Sequence, residues 1–288
     1  MKIRKTIGLA LLIVVTAIFI YGFLCGPLFP FSPIKPGFAE LNLTRCTIVY
    51  PKNTKISPEY GTVDDLIGET EQFHNLQFKK RIQIIVCATN EQCKRFSMTG
   101  GHACTIQTGT VIYIRPSIQE TTYPPKITIE RGSIILQPPV VETHRDLTGF
   151  LKHELSHAIL YQNTSILKAI RIKRWLEEGL AVYFGNPHHY YHGSEFRTLA
   201  IDQGCFFNLL DEQAEPEGIP QDIKYYFMYG AFYEFMNYLI QTYGVDSVLT
   251  YTHEYIKAPG MEDPLFRSLF GINLENELER FQQHIRTQ

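Results

Sequence analysis

The pentapeptide His153-Glu154-Leu155-Ser156-His157 constrains this chain more than any other stretch. Two imidazoles four residues apart face one point only on an α-helix, so the pattern requires Asp146 to Asn163, DLTGFLKHELSHAILYQN, to be helical. The neighbours agree. Leu147, Phe150, Leu151, Leu155, Ala158 and Ile159 supply apolar faces at helical spacing, and Thr143 stands three residues before Asp146, the separation of a capping box. Taken alone, the pentapeptide also fits two hydrogen-bonded surface histidines beside a glutamate.

Downstream lies Trp175-Leu176-Glu177-Glu178-Gly179-Leu180-Ala181, followed by Val182 and Tyr183. A carboxylate on a second helix can complete a three-ligand metal site with the two histidines. The two segments together resemble the gluzincins, HExxH metallopeptidases with a downstream glutamate as third ligand, in their W-L-x-E-G-x-A form. The resemblance is strong over Thr143 to Tyr183 and weak over Tyr225 to Gln288, where YGAFYEFMNYLIQTYG is similar to the helical lobe of such proteins. The first 140 residues carry none of it. The resemblance implies a zincin-like α+β fold and Zn2+ held by His153, His157 and Glu178, with Glu154 as general base.

Glu178 matches the family glutamate because it directly precedes Gly179; Glu177, the alternative, reads as a solvated helix charge. The metzincin pattern is excluded, since Leu160 and Asn163 stand where it needs glycine and histidine. Two neutral imidazoles and one carboxylate leave zinc an open position for a water of lowered pKa, and an adjacent carboxylate can take that proton and pass it to a leaving amine. An oxyanion donor is expected from Tyr226 or Tyr229, with Tyr229 preferred because it precedes Gly230; core packing explains either tyrosine equally well. The Gly-x-Met-Glu-Asn stretch of aminopeptidases is missing upstream, and Gly260-Met261-Glu262-Asp263 lies on the wrong side of the motif. An endopeptidase is therefore expected rather than an aminopeptidase, with a peptide or protein as substrate. The alternatives are a zinc-binding module without catalysis, for which Glu154 has no use, and a metal-free interaction protein.

Residues 7–24 carry no charge and follow Lys2, Arg4 and Lys5. This predicts a single-pass membrane anchor with residues 1–6 cytoplasmic and the remainder outside, a cleaved signal being the alternative. Pro27, Pro30, Pro33 and Pro36 suggest a polyproline stand-off over 25–45, or an extended strip lying on the domain. Strands are expected at Thr47 to Tyr50, Ile82 to Cys87, Thr110 to Arg115 and Ser133 to Gln137, the last a candidate edge for pairing with substrate. Helices are expected at Val63 to Phe78, Ile223 to Tyr243, Asp246 to Ile256 and Leu274 to Ile285. A mixed half followed by a helical half is α+β architecture, one domain over 46–288. The cysteines lack C-x-x-C spacing, which argues against a cysteine zinc site; a bridge within Cys87, Cys93 and Cys104 is one expectation, buried thiols the other. His188, His189 and His192 read as an exposed loop rather than a second metal site. A formal net charge of −2 gives no basic field for nucleic acid.

Overall fold

A computed structural model describes residues 2–97, 103–115, 121–122, 124–130, 132–137, 141–142, 146–185 and 187–287. In chain order, α1 (Lys2–Cys25) precedes β1 (Phe38–Asn42), β2 (Cys46–Pro51), α2 (Val63–His74), β3 (Ile82–Val86), α3 (Asn90–Ser97), β4 (Ala103–Thr105) and β5 (Val111–Ile114). Short strands follow: β6 (Thr121–Thr122), β7 (Ile127–Glu130), β8 (Ser133–Leu136) and β9 (Val141–Glu142). The helical half comprises α4 (Leu147–Gln162), α5 (Ile166–Ala169), α6 (Arg174–Phe184), α7 (Gly193–Arg197), α8 (Gln221–Tyr243), α9 (Val245–Lys257), α10 (Glu262–Phe270) and α11 (Leu274–Thr287). The fold is α+β with a mixed sheet.

The sheet runs β1-β2-β3-β5-β4, parallel at its centre and antiparallel at both edges. Parallel neighbours need a crossover, and α2 supplies the one between β2 and β3. Successive strand residues point to opposite faces. Ile48, Ile84, Ile112 and Ile114 therefore meet Leu66 and Ile67 of α2 and Leu151 and Leu155 of α4, while Val49, Ile85, Val111 and Tyr113 meet Phe29, Phe38 and Phe96 on the other side. Covering both faces explains why these strands are almost continuously apolar. The layer under α4 fixes its rotation and turns its opposite side toward α6.

Helix α6 lies close against α8 because Gly179 has no side chain. A Cβ there would sit 2.9 Å from the Phe232 carbonyl oxygen and 3.1 Å from Met236 Cβ. Gly179→Val is expected to force α6 and α8 apart, at a cost of about 1–3 kcal/mol. Denaturant titration checks the loss; wild-type stability in the variant would refute the close packing.

Several expectations need correction. Among the described residues no helix is long and apolar enough to cross a membrane. Residues 7–24 fall within α1. The single-pass anchor at 7–24 and the cell-membrane placement with an extracytoplasmic domain are therefore not supported. Nor is 25–45 a stand-off: Phe29 is fully buried and stacks on Phe96 with ring centroids 4.3 Å apart, and 38–42 is an edge strand of the sheet. Interleaved phenylalanines, rather than proline spacing, decide that segment. Helix α2 stops at His74, short of Phe78, because Asn75 adopts the left-handed conformation at φ 48°. Among the described residues, strand β8 pairs only with β7, in a separate two-stranded ribbon. No disulfide joins the cysteines among the described residues.

Candidate metal centre

Asp146 caps α4: its Oδ1 accepts from the Gly149 backbone N–H at 2.8 Å. Thr143 lies outside the described residues. From that cap the helix carries His153 and His157 one turn apart, with their Nε2 atoms at 3.1 Å. Helix α6 brings Glu178 across, placing Oε2 3.3 Å from each Nε2. All three donor atoms lie within 4.8 Å of one another, the one such group of three among the described residues.

The triangle can be tested against metal stereochemistry. Tetrahedral coordination with bonds of about 2.0–2.1 Å separates ligand atoms by roughly 3.3–3.4 Å. The observed edges of 3.1, 3.3 and 3.3 Å fit it closely. Glu178 Oε2 is buried without a hydrogen-bond partner, whereas Oε1 accepts from the Tyr229 hydroxyl at 3.0 Å. An orphaned carboxylate oxygen aimed between two ring nitrogens is what a cation would satisfy.

Electrostatics point the same way. Burial alone would lower His157, but the Glu178 carboxylate outweighs it and holds the imidazole up at about 9. Burial would raise Glu178, yet the charge of the facing His157 and the adjacent His153 ring hold it well below the usual carboxylate range. In the metal-free protein the site is thus a His157–Glu178 ion pair.

Glu154 lies between the two histidines in sequence and is not one of the three clustered donors. Its buried carboxylate accepts from the Thr105 hydroxyl of β4 at 2.8 Å. The sheet edge beside α4 is therefore β4, not the expected Ser133 to Gln137.

Tyr229 reaches the site, though its hydroxyl is committed to Glu178. Its ring lies 5.2 Å from that of Tyr190 and 4.3 Å from that of Tyr225. The Tyr225 hydroxyl is within hydrogen-bonding reach of the other two, and Tyr225 is 47% exposed. Tyr226 is not brought in; its ring packs on Tyr191 and its carbonyl accepts from the Tyr191 N–H. Tyr190 and Tyr225 were missed by sequence reasoning, and the YYF and HHYYH clusters were their only signal.

Glu177 is no solvated charge. Burial raises its carboxyl to about 7, and Oε2 accepts from the Tyr161 hydroxyl at 2.9 Å. The Tyr161 ring in turn stacks on His157 at 6.0 Å. Tyr161 follows His157 by one helical turn, a spacing that could have revealed the contact. In the histidine cluster, His188 is exposed, but His189 is buried against Phe150.

Below the motif, Ser156 Oγ meets the fully buried His74 at Nε2, 2.8 Å away. Burial lowers His74 from 6.5 to about 3, so the folded state keeps it neutral. Protonation in the unfolded chain then favours unfolding below pH 6.5, and stability falls as pH drops from there toward 3. The loss is roughly 1.4 kcal/mol per pH unit. His74→Gln, which can bond Ser156 without titrating, is expected to lose less stability than wild type between pH 7 and pH 5 in urea titrations. Parallel losses would show that His74 does not drive the acid sensitivity.

No family model matches the chain, and no curated protein matches it. The site must speak through its geometry.

Proposed function

We propose that the chain is a zinc-dependent peptidase of the gluzincin type that cleaves within polypeptides. The observation that carries this reading is the near-equilateral donor triangle of His153, His157 and Glu178 around an orphaned carboxylate oxygen. Two nitrogens and one carboxylate oxygen suit zinc and leave one tetrahedral position open. When bound there, the ion would supply Lewis acidity that makes water a nucleophile near neutral pH.

The remaining tasks fall to the chain itself. Glu154 takes the proton from the attacking water and gives it to the leaving amine. Tyr229 fixes the rotation of the Glu178 carboxylate through Oε1, so Oε2 faces the histidines. With Tyr229 so engaged, the adjacent, partly exposed Tyr225 is the candidate to meet the oxyanion of a substrate carbonyl.

Elemental analysis and digestion of a peptide library, with and without chelator, test the proposal together. About one zinc per chain and internal cleavage abolished by chelation are expected. Zinc without cleavage would reduce the protein to a binding module, and no bound metal would remove the reading altogether.

A further inference from the structure

We infer that Thr105 is a positioning residue for Glu154, selecting which carboxylate oxygen acts as the base. The inference rests on the peptidase reading. Thr105 is the last residue of β4, held in register opposite Ile112 of β5. Strand alternation sends its neighbour Cys104 toward the core cluster of Cys87, Cys93 and Tyr113, leaving Thr105 on the α4 face. Its hydroxyl lies 2.8 Å from Glu154 Oε2 and 2.9 Å from the Glu154 carbonyl oxygen.

A threonine hydroxyl has one proton. Of the two oxygens it touches, an ionised carboxylate is the stronger acceptor, so the proton goes to Oε2. That engagement leaves Oε1 as the atom that receives the proton from water. Being β-branched, threonine is stiff at χ1, and strand pairing fixes its backbone, so the hydroxyl is aimed before substrate arrives. The bond also makes the strand beside the site and the base one mechanical unit: a shift of β4 would be felt at Glu154 directly.

The test compares Thr105→Val, Thr105→Ser, Glu154→Gln and the Thr105→Val/Glu154→Gln double variant, with rates normalised to folded, zinc-loaded protein. Valine keeps the strand and the shape but lacks the hydroxyl. Its kcat is expected to fall about tenfold or more with KM and zinc content unchanged, while serine restores most of the rate. Because Thr105 acts through Glu154, adding Thr105→Val to Glu154→Gln should cost nothing further. Wild-type kcat in Thr105→Val, equal losses in the serine and valine variants, or multiplicative losses in the double variant would each overturn the inference. Full activity in Glu154→Gln would instead sink the peptidase reading, and the role of Thr105 with it.

Discussion

Glu154→Gln is expected to lower peptide turnover about a hundred- to ten-thousandfold while the chain still binds one zinc. The substitution is nearly isosteric. Its amide oxygen can still accept from the Thr105 hydroxyl, and the packing around a side chain only 5% exposed is undisturbed. What disappears is the ability to accept a proton from water and deliver it to the leaving nitrogen. His153, His157 and Glu178 are untouched, so metal content separates a lost base from a lost site. Steady-state kinetics on a cleaved library peptide, with zinc measured on the same sample, decide the matter. Turnover within threefold of wild type would eliminate Glu154 as the base.

The parts of this site visible in the sequence are those fixed by helical periodicity. His153 and His157 had to share a face once α4 was helical, and α4 was bound to be helical because Leu151, Leu155 and Ala158 form its buried stripe. The parts that were not visible depend on contacts between elements distant in the chain. Thr105 lies far upstream on a short strand that the sequence did not announce, and Tyr190 enters from a loop after Pro187. No local period connects either to α4. Glu177 shows the limit in another form: it read as a solvated helix charge, and only its bond to Tyr161, whose ring stacks on His157, revealed otherwise.

The same limit governed the fold. Three of the expected strands appear as β2, β3 and β5, because their β-branched runs are buried on both faces. Ser133 to Gln137 has the same local character. Its partner, however, is β7 a few residues before it, so a hairpin formed where a sheet edge was expected. The proline run after Cys25 suggested an extended stand-off, yet Phe29–Phe31 forms a 3-10 turn, and Phe29 and Phe38 joined an aromatic core whose other members lie on α3 and β5. Nothing within 25–45 could have told of those partners.

Zinc affinity is expected to rise about tenfold for each pH unit up to about pH 9, far beyond the range of an ordinary histidine. The reason lies in the ion pair of the metal-free site. Glu178, 3.3 Å from His157, holds that imidazole protonated up to about 9 against the opposing effect of burial. A protonated nitrogen has no lone pair for a metal, so each binding event below that pH must release the His157 proton. Apparent affinity therefore climbs with pH until His157 is neutral without help, then levels. At pH 7 about one proton should leave per zinc bound, read by calorimetry in two buffers of different ionisation enthalpy. Glu178→Gln removes the charge that sustains the proton, so the plateau should begin nearer pH 6.5, at an affinity weakened by the missing ligand. Competition with a chromophoric chelator from pH 6 to pH 9 measures both curves. If wild-type affinity were already level at pH 7, the Glu178 carboxylate would not be facing His157 in solution, and the shared-site geometry would fall.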